Sequence, residues 1–368
     1  MERIAYLCLS DGWGGLEMNQ LKNARQMHLR GHSVLCIANA NSPIANEAQA
    51  QNVPLYLVAQ KAKHYQWRFA WMLSRFLLHN QYTQLIFRNN REQSIAASIA
   101  FLSLGKIKVH YFMEMALGGK RTQFFRTLRY HFFSTWICPL PYLKAQVLAN
   151  TKINASKIKE IPSGLNFKTD TTLSQKQARE HLGWPSEAKL IVVVGRLDPK
   201  KRQRFVWESF MKRTQLNEFL IFVGAHTLDE ADHYAVSLKK DVEGHQKNEN
   251  IIWAGFQENM PLVYRAADLI VMAAENETVG MATLEALQQN CPVVGANNGG
   301  SQEIIKLFGG GLCFEAKDNT SLNKCIDLVL NKDYPELKKE AFQQHFNFER
   351  VCQLIEYEVL KQKTSIFQ

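Results

Sequence analysis

At 368 residues the chain is too long for one ordinary hydrophobic core, so its length predicts two domains. A hydrophobic content of 46% with 21% charged residues excludes a disordered or fibrous chain, and the seven cysteines (Cys8, Cys36, Cys138, Cys291, Cys313, Cys325, Cys352) lack the spacing of a disulfide framework or a zinc site, which fits a reducing cytosol. The net charge of +10 is uneven: residues 1–165 carry 20 Lys and Arg against 7 Asp and Glu, so this half is expected to meet something anionic.

In chain order, the six-residue apolar run IAYLCL is shorter than a signal-peptide core and predicts a first β-strand. No apolar stretch approaches the ~20 residues of a membrane-spanning helix, so the protein is expected to be neither exported nor integral. A helical LEMNQLKNARQMHLRG follows, then the strand SVLCIAN, a helix over 66–79, the strand QLIFR, a helix over 92–103 and the strand KIKVHYF. This is the βαβ rhythm of a parallel sheet covered on both faces. IPSGLN, residues 161–166, has the Pro, Ser and Gly of a connector. The rhythm then restarts: LIVVVG, a helix over 202–213, EFLIFVG, a helix over 229–243, NIIWAG, a helix over 259–266, DLIVMA, a helix over 281–290 and CPVVGA. The tail FNFERVCQLIEYEVLKQK predicts a last amphipathic helix.

Open parallel sheets bind ligands outside the carboxyl ends of their strands. After the first strand comes Gly12-Trp13-Gly14-Gly15, a turn that either simply reverses the chain or opens a helix whose N–H groups meet an anion. After LIVVVG, Arg196 stands at the strand end and Lys201 lies five residues on. A run of cations in a loop is often merely solvated; the strand-end position favours a grip on phosphate oxygens. The stretch ENETVGMATLEALQQNCPVVGANNGGSQE places Glu277 in a loop and Glu285 on a helix, with the helix N–H groups near Gly280–Thr283 between them. Glu285 alone reads as solvent-facing. Taken together, N–H groups suited to phosphate and carboxylates suited to hydroxyls predict a diphosphate ligand with hydroxylated rings on either side.

These motifs carry a resemblance to the retaining, nucleotide-sugar-dependent glycosyltransferases group 1. Gly14-Gly15-Leu16-Glu17 resembles GG-x-E, Arg30-Gly31-His32-Ser33-Val34 resembles RGHeV, and Ile161-Pro162-Ser163-Gly164-Leu165-Asn166 resembles IPNGVD. Gly195-Arg196-Leu197 with Lys201 is similar to GRLxxxKG, although Arg202 replaces the second glycine. Glu277-Thr278-Val279-Gly280 with Leu284-Glu285-Ala286 resembles EGFGxxxxEA, and Gly299-Gly300-Ser301-Gln302-Glu303 resembles GGxxE.

The resemblance implies an α/β GT-B fold, two Rossmann-like parallel-sheet domains facing across a cleft. An acceptor-binding domain would span 1–163, with a C-terminal helix at about 350–368 packing back on it, and a nucleotide-sugar-binding domain 164–349. It implies that Arg196 and Lys201 hold the diphosphate, Glu277 the transferred sugar and Glu285 the ribose. The backbone of Val279, Gly280, Met281 and Thr283 would orient the donor, and Gly15 would admit its diphosphate closely. Gly14, Glu17, His110 and Glu114 are further candidate contacts with donor or acceptor. His110 lies where a strand reading and a sugar-contact reading compete. The expected partners are a nucleoside-diphosphate sugar and a glycan or lipid-linked acceptor; no cofactor, catalytic metal or nucleic acid is expected.

Two N-terminal segments interleave cations with aromatics: His64-Tyr65-Gln66-Trp67-Arg68-Phe69-Ala70-Trp71 leading to Arg75, and Lys120-Arg121-Thr122-Gln123-Phe124-Phe125-Arg126 leading to Arg129. Either each is a core face with solvated arginines or, as a basic amphipathic helix, it lies on an anionic membrane. The overall expectation is a cytoplasmic transferase for a cell-surface glycan, peripheral on the membrane. The competing readings are a phosphorylase or epimerase on the same fold, and a non-catalytic nucleotide-sugar-binding scaffold.

Overall fold

The computed structural model describes residues 1–59, 66–167, 173–215, 217–225, 232–245 and 248–361. His64 and Tyr65, the start of the helix expected over 229–243, and the end of the helix expected to reach 368 lie outside the described residues. The chain forms two units, one of Met1–Gly164 with the chain from Phe348 onward and the other of Leu165–Asn347.

The first unit alternates β1 (Arg3–Cys8), α1 (Gly15–Leu29), β2 (Ser33–Asn39), α2 (Pro43–Ala50), β3 (Leu55–Val58), α3 (Trp67–His79) and β4 (Gln84–Phe87). It continues with α4 (Gln93–Leu102), β5 (Lys108–Phe112), α5 (Phe124–His131), β6 (Thr135–Cys138), α6 (Pro141–Asn150) and β7 (Ile158–Glu160). All seven strands run parallel in the order β3-β2-β1-β4-β5-β6-β7. Central β1 pairs on both sides, Leu7 facing Ile37 and Phe87, and every residue of it after Arg3 is buried. Such strands read as continuous apolar runs because helices cover both faces of the sheet.

The second unit begins with α7 (Gln175–Leu182), β8 (Lys189–Val194), α8 (Gln203–Met211), β9 (Glu218–Val223), α9 (Asp232–Glu243), β10 (Ile251–Gly255), α10 (Met260–Ala266) and β11 (Leu269–Met272). It ends with α11 (Met281–Gln288), β12 (Val293–Ala296), α12 (Gly299–Phe308), β13 (Gly311–Phe314), α13 (Asn319–Leu330) and α14 (Lys339–Phe346). Its parallel sheet has the order β10-β9-β8-β11-β12-β13. Local signals set the boundaries: Ser174 and Gln177 form a reciprocal capping box at the start of α7, and Gly183, at φ +67°, ends it in the left-handed conformation. Strand order reverses between β1 and β4 in one sheet and between β8 and β11 in the other. Those two reversals are where doubly wound sheets open a crevice.

The last described helix, α15 (Phe348–Glu358), belongs to the first unit. Val351, Cys352 and Ile355 join the core that contains Ile4, Leu21 and Val34. The Arg30-Gly31-His32 turn pins this helix. Arg30 donates to both carboxylate oxygens of Glu356 at 2.9 and 2.6 Å, and His32 Nε2 lies 3.0 Å from Glu356 Oε1. The Glu2 amide donates to His32 Nδ1 at 3.2 Å, so Nε2 carries the proton offered to Glu356. Burial alone would raise the Glu356 carboxyl, but Arg30 and His32 outweigh it and hold it below its ordinary value. Among the described residues no helix is long and apolar enough to cross a membrane.

Candidate active site

The second unit assembles the expected residues at its switch point, on the loops after β8 and β11. Beyond β8 the backbone turns at Gly195, and the Arg196 side chain is 62% exposed with its guanidinium 3.8 Å from Asp198. Asp198 accepts from the Lys200 amide at 2.8 Å and caps the single turn Pro199–Lys201. That turn aims Lys201 at the neighbouring loop. Its Nζ lies 2.6 Å from Glu277 Oε2, a pair 76 residues apart in sequence and only partly shielded from water. The same two loops are tied again by the Glu275 amide donating to the Lys200 carbonyl at 3.0 Å and by an ion pair between Arg202 and Glu275. Arg202 itself sits at φ +57°. A glycine is the natural residue for that left-handed geometry, and glycine is what the resembling motif has there.

Past Glu277 the chain reaches Gly280, whose φ of +75° turns it into α11 with no side chain capping the first N–H groups. Met281 is half-buried, while Val279 and Thr283 are buried, so these last two can offer a ligand only their backbone. The Thr283 hydroxyl is engaged inside the protein, 2.7 Å from that of buried Ser301. Glu285 is not simply solvent-facing. It is half-buried, and its Oε2 accepts from the Tyr264 hydroxyl on α10 at 2.7 Å. Burial and then the adjacent carboxylate push the Tyr264 phenol well up, so it stays protonated and continues to donate.

Gly299 and Gly300 serve the loop from behind. The Gly300 amide donates to the Glu277 carbonyl at 2.7 Å, and a Cβ at Gly300 would fall on the Val279 carbonyl and within 2.7 Å of the Thr278 carbonyl oxygen. The pair lets the start of α12 touch the backbone that carries Glu277. Sequence reasoning did not single out Tyr264, Ser301, Glu275 or this role for the glycines, because each acts through a partner distant in sequence.

The first unit holds the remaining candidates around its own switch point. Gly14 precedes α1 with no capping side chain, and a Cβ at exposed Gly15 would meet no protein atom. Glu17 is buried beneath that turn. Glu114, just beyond β5, forms an ion pair with Arg88, whose guanidinium lies 4.7 Å from the Phe112 ring centroid. Burial raises the Glu114 carboxyl above its ordinary value, against the pull of Arg88.

His110 resolves to the strand reading. It is buried in β5, with Nδ1 2.8 Å from Thr135 Oγ1 and Nε2 2.8 Å from Gln84 Oε1. Burial lowers its pKa to about 3. A neutral ring with both nitrogens engaged inside the sheet has neither left for a sugar, so the strand reading replaces the sugar contact.

Nearby lies a carboxyl that the sequence did not flag. Glu92, wholly buried, accepts from the Leu9 amide at 2.6 Å through Oε1, and among the described residues Oε2 has no hydrogen-bond partner. Burial, opposed by backbone N–H groups and aided by Glu17, raises its pKa from 4.5 to about 8. A raised folded-state pKa makes the protonated form the stabilising one. That contribution is complete below the ordinary value and is lost as pH rises toward 8. His110 has the opposite sign, losing its contribution as pH falls from 6.5 toward 3. Glu92→Gln keeps an acceptor for Leu9 and cannot ionise, so its stability relative to the native protein should improve steadily as pH rises from about 5 to about 8.5. Denaturant midpoints across that range check this; an unchanged difference would mean Glu92 does not titrate there.

Residues 174–344 match the family model described as glycosyl transferases group 1. Among curated relatives, the chain is 24% identical over 204 residues to N-acetyl-alpha-D-glucosaminyl L-malate synthase of Bacillus anthracis, covering 53% of this chain and 51% of that protein. It is 27% identical over 184 residues to D-inositol 3-phosphate glycosyltransferase of Corynebacterium efficiens, covering 47% of this chain and 42% of that one. The chain thus spans about half the length of the curated relatives it matches. Among solved structures, Anabaena Alr3699/HepE in complex with UDP superposes with a TM-score of 0.82 at 17% identity, covering 98% of this chain and 100% of that one. That likeness establishes the fold, two Rossmann-like parallel-sheet domains, and the matched segment carries every site residue of the second unit. Through that segment the second unit of the chain is similar to the glycosyl transferases of group 1.

Proposed function

We propose that the protein is a retaining glycosyltransferase that moves a sugar from a nucleoside-diphosphate sugar to an acceptor hydroxyl. The observation that carries this reading is the convergence of Arg196, Lys201, Glu277 and the uncapped start of α11 at one switch point. Arg196 and Lys201 would neutralise the diphosphate, most strongly as charge builds on it in the transition state. The N–H groups of Gly280, Met281, Ala282 and Thr283 would take phosphate oxygens. Glu277 would accept from hydroxyls of the sugar, and Glu285, oriented by Tyr264, from those of the ribose.

With both carboxylates placed as hydrogen-bond acceptors, the chemistry assigned here needs no protein nucleophile. The acceptor oxygen would approach the anomeric carbon from the face the diphosphate leaves. The C–O bond to phosphate breaks with its electron pair passing to the leaving oxygen, and the acceptor proton follows it there. No metal is assigned to this step. The acceptor is proposed to be a glycan or lipid-linked precursor of a cell-surface polymer, met at the cytoplasmic membrane face by the basic first unit.

The first test is thermal shift of the folded protein with UDP, GDP, ADP, CMP and their sugar conjugates, since a ligand of the native state raises stability by mass action. UDP leads the panel because Alr3699/HepE is crystallised with it. One nucleoside diphosphate and its sugar should raise Tm and the sugar should turn over. Binding without turnover on any acceptor would favour a non-catalytic scaffold, and no shift from any nucleotide would remove the reading.

A further inference from the structure

Helix α5 does not behave as a core element. Tyr130 is its one buried residue, while Phe124 is 73% and Phe125 66% exposed. Beside it, Phe101 on α4 and Trp67 and Trp71 on α3 are each about half exposed. These elements leave an apolar groove of about 470 Å³, lined by Trp67, Ala97, Phe101, Phe125, Leu128 and Phe132, with Arg129 at its edge. Aromatic rings build its walls edge to face, Trp67 on Phe101 at 6.3 Å and Phe101 on Phe132 at 5.5 Å. Arg129 donates to Ser94 at 2.8 Å, which keeps that guanidinium at the groove.

The surrounding charge is one-sided. Between Glu47 and Glu160 the chain contains sixteen Lys and Arg and two carboxylates, Glu92 and Glu114. Glu92 is wholly buried and Glu114 is paired with buried Arg88, while Lys144 and Lys159, away from these helices, pair with Glu160 and Glu358. Helices α3, α4 and α5 carry no acidic residue at all, and Arg68 and Arg75 are exposed on α3. Arg75 lies over the Trp71 ring at 5.2 Å, so charge and apolar surface share one face.

From this we infer that the α3–α4–α5 face of the first unit docks on an anionic bilayer and that the groove takes up a hydrocarbon chain of one of its phospholipids. An acidic protein would satisfy the arginines but leave the aromatic groove unfilled. A neutral apolar partner would fill the groove and leave the arginines without counter-charge. An anionic lipid supplies both in one molecule. A single chain, or a basic patch alone, holds a protein only marginally at a membrane, whereas the two together anchor it. The inference gives a location and an occupant to the membrane contact proposed above. It requires neither nucleotide binding nor sugar transfer, so each can fail while the other stands.

The test is binding of the full chain to vesicles of phosphatidylcholine, with and without phosphatidylglycerol, across a salt series. The native protein should bind the anionic vesicles, more weakly as salt screens the arginines, and leave the neutral ones. Phe125→Ser with Leu128→Ser should weaken binding about tenfold or more at fixed salt. Both positions are exposed enough that Tm should hold. Phosphatidylglycerol brominated along its chains should quench a component of the tryptophan emission that Trp67→Phe removes. Undiminished binding by the double variant, or no quenching of Trp67, would reduce the contact to surface charge and overturn the groove's role. Failure to bind anionic vesicles would overturn the whole inference. So would self-association in solution that the double variant abolishes, since the occupant would then be a second copy of this chain.

Discussion

Arg196→Ala and Lys201→Ala should each lower kcat/KM for the nucleotide sugar by ~10²–10³, the loss expected when one preorganised donor to a developing negative charge is removed. The fold should survive both changes. Arg196 is largely exposed, and the Lys201–Glu277 pair is partly wetted, so losing either contact should cost less than about 1 kcal/mol of stability. The two losses should differ in kind. Among the described residues the Arg196 side chain has only a 3.8 Å approach to Asp198 to give up, so its substitution should weaken binding of a nucleoside diphosphate far more than that of the corresponding monophosphate. Lys201 is already held by Glu277 at 2.6 Å, so under the proposed role a donor would share that cation with the carboxylate.

Coupling between the two sides of the pair can be measured. With Lys201→Ala, Glu277→Gln and the double variant, roles exercised independently give rate losses that multiply. Roles exercised through the pair give a double variant little worse than the worse single one. Near-native kcat/KM in Arg196→Ala, in protein of unchanged Tm, would withdraw the site assignment altogether.

Much of the architecture was legible because a buried parallel strand must be apolar throughout. LIVVVG, EFLIFVG and DLIVMA declare β8, β9 and β11 for that reason. The short strands β6 and β7, of four and three residues, gave no comparable run. The site was legible one residue at a time but not as an arrangement. Lys201 and Glu277 were each marked by standing after a strand, whereas their pairing depends on β8 and β11 being neighbours, a property of the sheet order. His110 illustrates the limit from the other side. One histidine in an apolar strand is compatible with a ligand contact until Gln84 on β4 and Thr135 on β6 are known to flank it. The Arg30-Gly31-His32 turn was legible as a motif, and its work, gripping Glu356 more than three hundred residues away, was not.

Gly300→Ala should be a damaging single-methyl change at the site, and for a reason separable from charge. The added Cβ would fall on the Val279 carbonyl and within 2.7 Å of the Thr278 carbonyl oxygen, and both neighbours are backbone, so no side-chain rotation relieves the overlap. Either α12 retreats from the loop, lengthening the 2.7 Å bond from the Gly300 amide to the Glu277 carbonyl, or the loop moves with Glu277 on it. Overpacking of this kind costs about 1–3 kcal/mol, so Tm should fall by several degrees with the unit still folded. Displacing Glu277 also draws its carboxylate away from Lys201. Donor affinity should therefore drop further than the stability loss alone explains, and saturating nucleotide should restore less of Tm than it adds to the native protein. Gly15→Ala supplies the control, because a Cβ there meets no protein atom and its Tm should stay native. A Gly300→Ala protein with native Tm and native donor affinity would show that the start of α12 does not set the position of the Glu277 loop.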